Sequence, residues 1–151
     1  MDNLHVFLGA TVADAAARPL HWVYDPKKLK KYIEGKKDIT FLKDNKSPFY
    51  SIQTGKVSGY NDVGQVMFKT LLSTKKKSDI LKNFKKNIIK NFGPGSSYWR
   101  NLKLRRKYKK IKWTKPMKGP WIHQNILETI QNIKSGKNTT GGTKVNESDG
   151  Y

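Results

Sequence analysis

The chain has 151 residues, a length that suits one modest domain with its own hydrophobic core. It contains no cysteine, which excludes disulfides, thiolate catalysis and cysteine-ligated zinc. Lys and Arg total 31 against 11 Asp and Glu, and the resulting net charge of +20 favours contact with nucleic acid or anionic membranes, unless the lysines simply form a solvated surface.

No stretch of the sequence approaches the roughly 20 consecutive apolar residues that a membrane-spanning helix needs. The N-terminus also lacks a basic region followed by an apolar run, which is the pattern of a secretory signal. We therefore expect a soluble intracellular protein, located in the cytoplasm, with no membrane partner.

The chain begins with an apolar, alanine-rich stretch at residues 4–17. Apolar side chains would occupy nearly the whole circumference of a helix here, so the stretch predicts a buried helix. Asp14 is the one charged residue in it. If it is buried, its carboxylate must be paired, hydrogen-bonded or bound to a metal, whereas at the surface it needs no partner. Arg18 and Pro19 end the helix, because the residue before a proline avoids helical backbone geometry.

His21 stands in an aromatic segment, residues 20–24, where its imidazole can have either a structural role or a role in a site. A short helix is predicted over 27–33. Residues 35–53 are polar and interrupted, which predicts a long loop of the kind that often carries function.

A turn at residues 59–62 runs directly into a helix whose apolar positions recur at helical spacing to about residue 72. Asn61 or Asp62 can serve as its N-cap, because either side-chain oxygen can accept a hydrogen bond from a backbone N–H of the first turn. Alternatively, Asp62 and its neighbour Asn61 are held at a helix start ready to bind a hard cation. The local pattern fits both interpretations.

Two more long helices are predicted in the second half of the chain. Ser78 is predicted to cap a helix over 80–92, which the Gly-Pro-Gly sequence at 93–95 ends. The last clear helix is predicted to open at Gly119 and Pro120, with the proline in its first turn. Its buried face is marked by Ile122, Ile126, Leu127, Ile130 and Ile133.

The segment 103–118 begins at Lys103, ends at Lys118 and is densely basic, with Tyr108 and Trp113 interleaved. Basic side chains suit phosphate and aromatic rings stack on bases, so this segment is the best candidate for nucleic-acid contact. It matches no named nucleic-acid-binding motif, and a generic effect of charge is the alternative.

Four separated stretches, in this order, resemble the ADP-ribosylglycohydrolase family, and within it the branch that holds the J crystallins and selenoprotein J. They are GATVADAAARPLHW at 9–22, SPFY at 47–50 followed by GYND at 59–62, FGPG at 92–95 together with KGPW at 118–121, and SDG at 148–150.

The resemblance implies an all-α fold, in which residues 1–151 form the N-terminal part of an ADP-ribosylglycohydrolase-like helical domain that is apparently incomplete. It implies hydrolysis of an ADP-ribose glycosidic bond with the help of Mg²⁺, and so ADP-ribose or an ADP-ribosylated acceptor as a partner. No catalytic residue is assigned. The residues placed at the site by resemblance are Asp62 and Asn61 as metal ligands, and Asp14, Ser148, Asp149 and Gly150 as ligand-binding residues.

The sequence also departs from the family pattern. The family's metal motif has Thr-Asp-Asp, whereas Asn61 and Asp62 offer one carboxylate, and His21 stands where the enzymes often carry a Glu. The family's second, Asp-rich metal motif would fall beyond Tyr151.

Three functions therefore stay open. The chain can be an ADP-ribosyl hydrolase that is inactive or incomplete as it stands, a crystallin-like structural protein without catalysis, or a basic nucleic-acid-binding protein. If the domain is incomplete, we expect the helix faces of 63–71 and 122–133 to be partly uncovered.

Overall fold

The computed structural model describes residues 3–108, 116–138 and 140–142. Within these ranges the all-α fold expected from the sequence is confirmed. The elements are α1 (Asn3–Ala17), α2 (Pro26–Ile33), β1 (Tyr50–Ser51), α3 (Gly59–Ser73), α4 (Ile80–Phe92), α5 (Ser97–Tyr108), β2 (Met117–Lys118) and α6 (Gln124–Lys134), with 3-10 turns at Arg18–Leu20 and Lys77–Asp79. None of the described helices is both long and apolar enough to cross a membrane.

The hydrophobic core lies between α3, α4, α5 and α6, where their apolar stripes meet. Its buried members are Val63, Val66, Ile88, Phe92, Tyr98, Leu102, Ile122, Ile126, Leu127 and Ile130. The face of 122–133 that we expected to be partly uncovered is therefore largely covered, and Ile130 is fully buried. On α3 the expectation holds for the second half of the face, where Met67 and Phe68 are half-buried and Leu71 is 48% exposed.

Helix α1 forms where the sequence predicts it, but the prediction that it is buried is wrong. Among residues 4–17, Ala15 alone is buried. The larger apolar side chains Leu4, Val6, Leu8 and Val12 are 43–56% exposed. An apolar circumference does not bury a helix unless other elements surround it, and within the described residues α1 lies on one side of the core.

The predicted capping role of Asn61 and Asp62 is also wrong. Helix α3 begins at Gly59 with Ser58 as its N-cap, so both residues lie inside the first turn. Their side chains bond instead to Gln65 and Tyr98. The helix starts earlier than its apolar stripe because Ser58 is fixed from outside by a side chain of α1.

Two other predicted helix starts are wrong. Ser78 lies within a 3-10 turn, and α4 follows Asp79, which makes no side-chain cap. Helix α6 begins at Gln124 after an extended N-cap residue, so Pro120 precedes the helix and is not in its first turn.

The two short strands were not predicted. They pair in parallel, with Tyr50 opposite Met117 and Ser51 opposite Lys118. This pairing ties the long loop before α3 to the segment before α6, and it brings the aromatic residues of both segments together.

Candidate functional site

Asp14 is bonded to the residue that starts α3. Its Oδ2 accepts a hydrogen bond from the Ser58 backbone N–H and its Oδ1 accepts one from the Ser58 hydroxyl, both at 2.6 Å. Ser58 is only 2% exposed. The carboxylate therefore joins α1 to the beginning of α3, in keeping with the rule that a partly buried carboxylate needs hydrogen-bond donors.

Asp62 lies one turn further along α3 and accepts a short hydrogen bond from the Tyr98 hydroxyl of α5. Burial raises the pKa of Asp62, and the charge of Asp14 raises it further, whereas the Tyr98 hydrogen bond lowers it. Burial, together with the nearby Asp62 charge, also raises the pKa of Tyr98. Asp62 thus joins α3 to α5 and stands within electrostatic reach of Asp14.

Asn61 points to a different partner from its neighbour. Its Oδ1 accepts a hydrogen bond from Gln65 Nε2 at 3.0 Å, within α3. In the part of the chain that the structure describes, no group of three or more His, Asp or Glu side chains lies close enough to hold a metal ion. The assignment of Asp62 and Asn61 as metal ligands stays a prediction.

Two histidines and two tyrosines gather beside these acids. His21 Nδ1 lies 2.7 Å from the Tyr50 hydroxyl, and the rings of Tyr60 and His123 have their centroids 3.8 Å apart. The two imidazoles are 6.5 Å apart. Burial lowers the pKa of His21, and burial followed by the charges of His21 and Arg105 lowers the pKa of His123 to about 3. The His123 ring is therefore neutral at physiological pH.

A cavity of about 590 Å³ opens beside this cluster. Asp14, His21, Ser58 and Tyr60 are among the residues that line it. The structure therefore brings Asp14 and His21, which the sequence singled out separately, to one cavity. Its size falls within the range of small-molecule sites.

Sequence reasoning missed His123 and the role of Arg18. His123 is 2% exposed, and its Nδ1 has no hydrogen-bond partner among the described residues. The guanidinium of Arg18 bonds to Asn45 Oδ1 and to three backbone carbonyls, those of residues 52, 53 and 56. The Arg-Pro sequence indicated only a helix end, and no local pattern marks either side chain as buried.

The predicted diphosphate-binding residues Ser148, Asp149 and Gly150 lie outside the described residues. So does part of the basic segment 103–118, including Trp113.

No protein-family model matches the chain. It is similar to two proteins of Tripedalia cystophora: it is 32% identical to crystallin J1B and 31% identical to crystallin J1A, each over 144 residues, or 95% of this chain. The chain spans 41% of the length of each relative. No solved structure matches it.

These comparisons show homology to crystallin J1 proteins over nearly the whole chain. The predicted likeness to the J crystallins is thereby confirmed, whereas the links to selenoprotein J and to the ADP-ribosylglycohydrolases stay predictions.

Proposed function

We propose that this chain is a crystallin J1-like structural protein, in which the acids of the candidate site hold helices together and do not serve catalysis. The observation that carries the proposal is the pair of 2.6 Å hydrogen bonds from Ser58 to Asp14. A cation at Asp14 would compete with these bonds for the same two oxygens, and Ser58 would lose the partner that fixes the start of α3.

Asp62 supports the same proposal. Its carboxylate is half-buried, has a raised pKa and accepts a hydrogen bond from Tyr98, a core residue that is 6% exposed. Magnesium prefers ionised oxygens in a near-octahedral arrangement. Two carboxylates and the amide of Asn61, each already hydrogen-bonded within the protein, are a poor fit for that ion.

The second candidate is the Mg²⁺-dependent ADP-ribosyl hydrolase that the family resemblance implies. One observation favours it: Asp14 lines the 590 Å³ cavity and its charge raises the pKa of Asp62. Two acids that repel each other, one of which lines a cavity, are a setting that a bound cation would relieve. In that case Asp62 and Asn61 would hold Mg²⁺, and ADP-ribose would occupy the cavity.

Thermal melting with saturating ADP-ribose and Mg²⁺ separates the two candidates. A ligand at about 100 times its Kd adds about 2.7 kcal/mol to stability, which for a chain of this size is a rise in Tm of about 5–10 °C. The structural proposal predicts a change below about 1 °C and no release of ADP-ribose from a modified acceptor. The hydrolase candidate predicts the full rise.

The variants Asp62→Asn and Asp44→Asn sharpen the test. Both remove one carboxylate, but Asp44 is exposed and pairs with Lys46 at the surface, so its loss should leave any ligand effect in place. A Mg²⁺-dependent rise that survives in Asp44→Asn and disappears in Asp62→Asn would overturn the structural proposal.

A further inference from the structure

A second cavity, of about 660 Å³, lies between the loop before β1, helix α5 and the start of α6. Phe49, Arg105, Arg106, Trp121 and Gln124 are among its lining residues, and it shares no lining residue with the cavity at Asp14. It therefore needs an explanation of its own, separate from the proposed structural role of the acids.

Two aromatic rings and a guanidinium form one wall of this cavity. The Arg105 Cζ lies 3.9 Å from the centroid of the Trp121 ring, which is a close cation–π stack. Phe49 packs against the same Trp121 ring, with the two ring centroids 5.7 Å apart, and its side chain remains 42% exposed. The stack fixes the plane of the Arg105 guanidinium, while Phe49 offers an apolar surface that a planar ring can cover.

The two arginines have no counter-charge among the described residues. In the part of the chain that the structure describes, neither Arg105 nor Arg106 has a carboxylate within ion-pair distance, and the ion pair between described residues is Lys46 with Asp44. Burial lowers the pKa of Arg105, and the charge of Arg106 lowers it further. Glu128 of α6 accepts hydrogen bonds from Gln124 and from the Gly142 backbone N–H. An anion entering the cavity would relieve the repulsion between the two guanidiniums.

We propose that this cavity binds a nucleoside phosphate, with the base against Phe49 and the phosphate on the N–H groups of Arg105 and Arg106. The cavity combines what the two halves of such a ligand need, an aromatic surface for a base and paired arginines for a phosphate. Its volume suits a small ligand. The same chemistry comes from a free mononucleotide or from one nucleotide of a single strand, and both arginines belong to the basic segment 103–118 that the sequence marked for nucleic-acid contact.

Isothermal titration calorimetry with AMP, adenosine and inorganic phosphate tests the proposal. We expect AMP to bind more tightly than either part alone, because only AMP uses both the aromatic surface and the arginines. Arg106→Ala should weaken AMP binding about tenfold or more. Lys103→Ala is the matched control: it removes one positive charge from the same helix at an exposed position outside the cavity, and it should change binding less than about twofold.

A single-stranded DNA of about ten nucleotides distinguishes the two sources of the ligand. If AMP binds and the oligonucleotide does not, the ligand is a free nucleotide. If the oligonucleotide binds and loses affinity in Arg106→Ala and in Phe49→Leu, but not in Lys103→Ala, the ligand is a nucleotide within a strand. Phe49→Leu keeps an apolar side chain, so its effect reports the ring and not the fold. The proposal is overturned if neither probe binds, or if Arg106→Ala and Lys103→Ala weaken binding equally, which is the signature of diffuse charge alone.

Discussion

His123 is 2% exposed and packs against the ring of Tyr60. An imidazole in such surroundings loses the water that would stabilise its charged form, and the nearby His21 and Arg105 oppose a further positive charge. Its pKa is therefore lowered from 6.5 to about 3. A histidine that stays neutral at physiological pH serves here as a packing residue at the edge of the site.

This shift predicts how stability depends on pH. The folded-state pKa of His123 lies below its value in the unfolded chain. Between pH 6.5 and about pH 3, the imidazole is therefore protonated in the unfolded chain and neutral in the folded protein. The free energy of unfolding therefore decreases as the pH falls through that window. His123→Gln removes this contribution, so the variant should gain stability relative to the wild type as the pH is lowered.

Urea unfolding between about pH 7 and about pH 4 measures the effect. His5→Gln is the control, since it makes the same substitution at an exposed residue of α1. Equal pH dependence in His123→Gln and the wild type would contradict the burial argument.

At the scale of the elements, Arg18 holds the long loop before α3 against the rest of the chain. It is 2% exposed, and its guanidinium donates to Asn45 and to the backbone carbonyls of Ile52, Gln53 and Lys56. These bonds order a stretch that has little regular structure of its own, apart from the two residues of β1. The planar fork of an arginine can reach several carbonyls at once, which a lysine cannot do.

Arg18→Lys should therefore loosen the loop while leaving the core intact. We expect faster amide hydrogen exchange over residues 45–57, unchanged protection in α4, and a loss of about 1–3 kcal/mol in the free energy of unfolding. The control is Arg100→Lys, which alters an exposed arginine whose guanidinium donates to a single described carbonyl, that of Gly95. If exchange over residues 45–57 stays at the wild-type rate, the loop is held by something other than Arg18.

The sequence predicts where the helices lie better than it predicts the residue at which each helix begins. Apolar spacing located α3, α4 and α6, because periodicity is a local property of the chain. The start of α3 was not predictable, since Ser58 is fixed by Asp14, 44 residues earlier. For the same reason the sequence marked Asp62 but not its partner Tyr98, 36 residues later.

The aromatic and histidine contacts of the site show the same limit. His21 was recognised as a candidate because it stands among aromatic residues, but its neighbour His123 lies in a segment whose pattern predicted only the opening of a helix. The pairing of β1 with β2 and the Arg18 bonds bring these segments together, and both depend on contacts between residues far apart in the chain.

At the scale of the whole molecule, the described residues form a core between four helices, α3 to α6, with α1 attached to one side. Among the described residues, α1 is attached by the stacking of Phe7 on Phe68, with centroids 4.2 Å apart, and by the Asp14–Ser58 hydrogen bonds. Much of its apolar surface stays exposed. The attachment therefore depends strongly on Asp14, and the proposed structural function depends on the same carboxylate.

The most direct test is a double-mutant cycle of Asp14→Ala and Ser58→Ala, measured by urea unfolding in EDTA and again in Mg²⁺. We predict a coupling energy of about 1–3 kcal/mol that is the same in both solutions, because the hydrogen bond from the Ser58 hydroxyl to the Asp14 carboxylate exists without any metal. A coupling below about 0.3 kcal/mol in EDTA, or one that arises only with Mg²⁺, would contradict the structural role of Asp14.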